Sequence, residues 1–191
     1  MPHGWDNIYD IGQWAYQCGA CGEHTTGHFG IWKITRDGGV AARVVICSHC
    51  GAPTFFESTS QVYPKPRYGQ MIEGITDRDV QRLYNEARLN TSYGAFTSAV
   101  MLCRKLLMHI AVDLGAEAGL RFIQYVEYLE KEGYTPPRGR DWVTDIKDKG
   151  NEANHEIRII SEEEAQKTLY FTGLVLQLIY SAPHYLKTKK S

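Results

Sequence analysis

Four cysteines stand in two matching pairs, Cys18-Gly19-Ala20-Cys21-Gly22 and Cys47-Ser48-His49-Cys50-Gly51. Each pair can clasp a metal from one tight turn, and four thiolates in this layout suit tetrahedral zinc in a closed site. The glycine after each second cysteine suits a backbone with positive φ. Twenty-five residues separate Cys21 from Cys47, somewhat more than the commonest spacing. A redox dithiol normally occurs once, beside a βαβ pattern, and no such pattern is visible. His24, His28 and His49 are alternative ligands, but four cysteines already fill the site. The expected cofactor is therefore structural Zn2+ held by Cys18, Cys21, Cys47 and Cys50.

A second constellation lies in Trp142–His155, reading WVTDIKDKGNEANH. Trp142, Val143 and Ile146 give an apolar side at helical spacing. Asn151 and His155 are four apart, so on a helix they share one face. Gly150 precedes them, and a helical Gly costs about 1 kcal/mol relative to Ala, which points to a close contact or an irregularity there. The pair has two readings. It is a polar corner whose side chains hydrogen-bond across helices, or it is a site where His155 moves a proton.

These residues need elements to hold them. Between the cysteine pairs, residues 28–35 alternate weakly, Arg36-Asp37-Gly38-Gly39 is a turn, and residues 40–46 are β-rich, which predicts a hairpin with one knuckle near each end. A hairpin of this size cannot bury a core without its metal. Residues 58–68 contain two prolines and no periodicity and read as an extended, exposed linker. Lys33, Arg36, Arg43, Lys65 and Arg67 offer a modest basic surface or are simply solvated.

Helical periodicity follows. Thr76 is the expected cap of a first helix with Val80, Leu83, Tyr84 and Ala87 inward. A second helix is expected from about Ser92 to Leu114, with Cys103 on its buried stripe as a core thiol. A third spans about Leu120 to Lys131, and the fourth contains Asn151 and His155. A fifth starts at Ser161-Glu162-Glu163-Glu164, a capping box, and stops near Ser181, before Pro183. Short loops imply antiparallel neighbours. The predicted fold is mainly α: an antiparallel helical bundle over residues 75–191, a linker over 61–74, and a small N-terminal β zinc ribbon with its extension over 1–60.

The 191 residues hold 21 Lys plus Arg against 22 Asp plus Glu, for a net charge of -1. Proteins that coat nucleic acid nonspecifically are usually clearly basic, so any such contact here must be local. No signal pattern opens the sequence, and its most apolar late segment is too short to span a bilayer. A soluble cytoplasmic protein with no membrane partner is expected, and in a reducing compartment the paired cysteines bind metal.

The helical part resembles an uncharacterised prokaryotic helical family found fused to restriction-type subunits or behind a zinc ribbon. The residues that carry the resemblance are Glu86-Ala87-Arg88, the stretch from Ala99 to His109, Lys149-Gly150-Asn151-Glu152-Ala153-Asn154-His155, and the Ser161-Glu162-Glu163-Glu164-Ala165 helix start. That family in turn resembles HEPN (higher eukaryotes and prokaryotes nucleotide-binding) domains, many of them metal-independent ribonucleases of antiviral and toxin systems. The resemblance implies a HEPN-like bundle, a homodimer, and a motif of Arg, a polar residue, three residues and His; Trp142 and Tyr170 are large enough either to anchor such a dimer or to fill a core. Asn151 and His155 match its last two positions, and Gly150 stands where the Arg belongs. Metal-free RNA cleavage needs a base, an acid and a cation. His155 fits the base or acid role, and Lys149, Arg104 or Arg158 could supply the cation. The Arg104-to-His109 string also matches Arg-x4-His, but five residues on a helix do not share a face. The reading adopted is a nucleic-acid-associated binding or adaptor module, its partner RNA or a larger nucleic-acid enzyme, in a prokaryotic defence or toxin setting. The alternative is a metal-independent ribonuclease with Asn151, His155 and Arg104 at its site.

Overall fold

The computed structural model describes residues 4–57, 61–135 and 159–188. The chain divides between Arg67 and Tyr68 into two compact units.

The first unit is an antiparallel sheet whose strands pair in chain order: β1 (Tyr9–Gln17), β2 (His24–Ile34), β3 (Val40–Ile46), β4 (Pro53–Phe56) and β5 (Val62–Tyr63). The expected hairpin is β2 and β3. Its turn closes where the Thr35 N–H donates to the Gly39 carbonyl at 2.7 Å. Val45, Ile46, Thr54 and Phe56 are buried. The rings of Trp14 and Tyr16 meet Phe56 edge-on, with centroids 5.7 and 5.2 Å away, a preferred arrangement for aromatic pairs. The Arg43 guanidinium lies 3.7 Å over the Trp14 ring, so this cation is committed to the sheet's own packing.

The expectation of a mainly α protein, a HEPN-like bundle with a small β ribbon, is overturned. Of the described residues, 44% are helical and 21% lie in strands, and the sheet has five strands. Three of those strands lie outside the segment between the cysteine pairs. The alternation of β1 is broken by a register shift between Asp10 and Trp14, with Gly12 at φ 73°. Strands β4 and β5 are four and two residues long, too short to show a period. Pro53 opens one and Pro64 follows the other, as edge and terminal positions allow.

The second unit holds α1 (Arg78–Ser92), α2 (Phe96–Asp113), α3 (Phe122–Lys131) and α4 (Glu162–Leu176), which passes through a π turn (Gln177–Ser181) into α5 (Ala182–Thr188). Helix α2 packs against α1, α3 and α4. Its buried stripe of Cys103, Leu106, Leu107 and Ile110 meets Val80, Tyr84 and Ala87 of α1, Val126 and Leu129 of α3, and Leu169 and Phe171 of α4 in one core. The N-cap of α1 is Asp77, not Thr76: its carboxylate accepts from the Asp79 and Val80 N–H groups at 2.8 and 3.1 Å. Ser161 caps α4, accepting from the Glu164 N–H at 3.2 Å. The last helix does not stop before Pro183. The π turn precedes it, and Pro183 then occupies the first turn of α5, where its missing N–H costs little.

Arg88 ties the segment before α1 to the helix. It is buried, and it donates to the carbonyls of Tyr68 at 2.9 Å and Gly69 at 2.8 Å and to Asn85 Oδ1 at 3.0 Å. Three directed bonds from one side chain need the planar fork of an arginine. No helix among the described residues is long and apolar enough to cross a membrane.

Candidate metal centre

The two cysteine turns are copies of one another. The Cys18 N–H donates to the Glu23 carbonyl at 2.9 Å, and the Cys47 N–H to the Ala52 carbonyl at 3.0 Å. The Gly22 N–H returns to the Cys18 carbonyl at 2.8 Å, and the Gly51 N–H to the Cys47 carbonyl at 2.9 Å. Gly22 and Gly51 sit at φ 81° and 75°, which side chains with a Cβ rarely adopt. Each turn therefore reverses tightly enough to aim both of its thiols at one point.

The thiols meet there. Cys18 Sγ is 3.8 Å from Cys50 Sγ, and Cys21 Sγ is 3.9 Å from Cys47 Sγ. All four Sγ atoms lie within 4.8 Å of one another. These separations are far beyond a disulfide bond of about 2.05 Å. They match the edge of a tetrahedron with metal–sulfur bonds of about 2.3 Å, which is about 3.8 Å. The donor set thus fits a tetrahedral thiophilic ion in both chemistry and spacing. His24, His28 and His49 do not join the cluster.

Charge points the same way. Burial works to raise the Cys47 thiol, but the N–H groups of Cys50 and His49 and the neighbouring thiols outweigh it and bring the group down to about 6. Burial pushes Cys21 up to about 12, with the Cys50 and Cys18 thiols adding to the rise. One thiolate forms readily and resists its neighbours' ionisation, so four thiolates together call for a cation.

The surroundings hold both turns. The Trp5 indole donates to the Gly51 carbonyl at 2.8 Å, and Ser48 Oγ to the Thr26 carbonyl at 2.9 Å. Pro64 passes so close to the first turn that a Cβ on Gly19 would lie 1.9 Å from its carbonyl oxygen. The thiol cluster, the turns and the strand ends therefore form one unit.

The sheet also presents a surface that sequence reading missed. Ile31 pairs directly with Val44, Val44 with Phe55, and Phe55 with Tyr63. Directly opposed residues share a face, so these four side chains form one row across β2 to β5. Ile31, Phe55 and Tyr63 are exposed. Phe29 and Lys33 flank Ile31 on the same face, and both are exposed. Only the strand register makes this row visible.

Of the residues singled out for catalysis, Asn151 and His155 lie outside the described residues, as do Trp142 and Gly150. Arg104 is on α2 with its guanidinium 4.5 Å over the Phe122 ring, and burial lowers its pKa. His109 faces elsewhere, 3.3 Å from Asp113 Oδ2 and 4.0 Å from Asp77 Oδ2. Arg104 and His109 thus engage different neighbours, as their five-residue spacing implies. Cys103 is fully buried, and burial pushes its thiol up to about 12.

The model of a domain of unknown function, DUF4145, matches residues 85–191. The chain belongs to that family, whose matched span lies wholly within the helical unit. No curated protein and no solved structure matches the chain.

Proposed function

We propose that this protein is a nucleic-acid-associated binding module in which a zinc-held sheet contacts unpaired RNA bases and the DUF4145 helical unit serves as the adaptor. The observation that carries this reading is the exposed row Ile31–Val44–Phe55–Tyr63 with Phe29 and Lys33 beside it. Flat aromatic faces on a rigid sheet stack bases of any sequence at about 1–3 kcal/mol per base. The row crosses three strand spacings, about 14 Å, enough for two or three bases. A net charge of -1 rules out coating by bulk electrostatics, so stacking supplies the affinity and Lys33 contacts phosphate.

RNA, rather than another extended polymer, is the ligand suggested by the resemblance of the helical part to HEPN domains. The same resemblance supports a homodimer, with the exposed Tyr170 of α4 as one anchor, and a role beside a larger nucleic-acid enzyme in a prokaryotic defence or toxin system. Cleavage is not part of the reading, because Gly150 stands at the motif's Arg position and Arg104 stacks on Phe122. The test is binding of a single-stranded RNA oligonucleotide to the full chain and to a Phe55→Ala, Tyr63→Ala variant.

A further inference from the structure

Three metal-ligating side chains converge in the helical unit, apart from the cysteine cluster. Asp77 is the N-cap of α1, and His109 and Asp113 stand one turn apart near the end of α2. His109 Nε2 lies 3.3 Å from Asp113 Oδ2 and 4.0 Å from Asp77 Oδ2, and one ligand atom from each residue lies within 4.8 Å of the other two. We propose that Asp77, His109 and Asp113 form a second metal site, for a first-row divalent ion such as zinc, with water in the remaining positions.

The spacing supports an ion. Metal–nitrogen and metal–oxygen bonds of about 2.0–2.2 Å put neighbouring ligand atoms about 3.0–3.5 Å apart. His109 and Asp113 are already at that separation, and i,i+4 spacing on one helix holds them there. Asp77 needs to approach by under about 1 Å, a small rotation for a half-exposed side chain.

The third ligand is oriented in advance. Asp77 Oδ1 is occupied by the Asp79 and Val80 N–H groups, so the carboxylate is fixed and Oδ2 is left aimed at His109. Outer hydrogen bonds of this kind commonly set the direction of a metal-binding carboxylate. The end of α2 adds the negative potential of its terminal carbonyls. Tyr180, in the π turn, has its hydroxyl held above its ordinary range first by burial and then by the charges of Asp113 and Asp77. Single π turns recur at functional sites.

Ligand type narrows the ion. An imidazole nitrogen favours zinc, nickel, copper or cobalt over magnesium and calcium, which take oxygen alone. Three protein ligands leave coordination positions open to solvent, unlike the closed four-cysteine site.

The competing arrangement is a protonated imidazole bridging two carboxylates with no ion. Equilibrium dialysis of the full chain against Zn2+ separates the two. Wild type should reach two zinc ions per chain, one resisting dialysis and one exchanging. His109→Ala and Asp77→Asn should each lose the exchanging ion and keep the other. Asp77→Asn retains a cap acceptor, so it reports ligation without removing the cap. Co2+ added to zinc-loaded protein should give weak ligand-field bands without thiolate charge-transfer absorption. Saturation of wild type at one ion, or a second ion that survives both substitutions, would overturn the proposal.

Discussion

Cys21 Sγ lies 3.9 Å from Cys47 Sγ although the two thiols come from different turns on different strand ends. That separation matches the edge of a metal-centred tetrahedron, and on the proposed reading the zinc held there is a folding element of the sheet. Protein purified without added metal should therefore hold one tightly bound zinc, measured by elemental analysis. Cys47→Ser should lose that ion and the sheet's circular-dichroism signature, while the helical unit keeps its melting transition. Folded protein free of zinc would contradict this.

Much of the metal centre was legible in the sequence because its signal is local. Two CxxC-Gly turns state their own geometry, and the structure reproduces the positive φ at Gly22 and Gly51. Helix faces were legible too, since Val80, Tyr84, Ala87, Cys103 and Leu107 repeat at the helical period. The five-stranded sheet was not. A broken register in β1 and strands of four and two residues erase the period-2 pattern, so the chain read as a bundle with a small ribbon. The row from Ile31 to Tyr63 depends on register across four strands, and the Asp77–His109–Asp113 cluster on helix packing, and neither is written in any short window.

Gly173 illustrates a packing constraint inside a helix. A Cβ there would lie 2.7 Å from the Tyr84 hydroxyl, which donates to the Gln70 carbonyl at 3.2 Å. Ala is the better helix former by about 1 kcal/mol, yet overpacking against a buried ring costs about 1–3 kcal/mol. Gly173→Ala should therefore lower the melting temperature of the helical unit. Adding Tyr84→Phe removes the clashing oxygen, so the double variant should recover stability relative to Tyr84→Phe alone plus the Gly173→Ala loss. Strict additivity in that cycle would show that the contact does not matter.

Cys103 gives a pH prediction. Burial pushes its thiol up from the ordinary 9.0 to about 12 in the fold. Below the first value both states are protonated and pH has no effect through this group. Above it the unfolded chain alone loses the proton, so stability falls as pH rises toward the second value. Tyr84, raised by burial from 10.0 to about 12, acts in the same direction. Urea unfolding of the helical signal from about pH 8 to about pH 10 should show a shallower decline in Cys103→Ala than in wild type, by at most about 1.4 kcal/mol per pH unit. Identical slopes would mean that Cys103 is not shielded.

RNA should be bound and returned intact. The motif's Arg position holds Gly150, and on the proposed reading His155→Ala leaves RNA integrity unchanged. Gly150→Arg restores a side chain suited to phosphate oxygens. We expect no cleavage from that variant. Cleavage by Gly150→Arg that disappears with His155→Ala would identify a degenerate ribonuclease instead.

Fluorescence anisotropy with a labelled single-stranded RNA addresses the binding surface itself. Wild type should bind saturably, with a shallow dependence on salt, since few phosphates are neutralised. Phe55→Ala with Tyr63→Ala should weaken binding at least about thirtyfold, the loss of two stacking contacts of about 1–3 kcal/mol each, while zinc content and helical signal stay unchanged. Equal affinity in the two proteins, or no binding by wild type, would contradict the account.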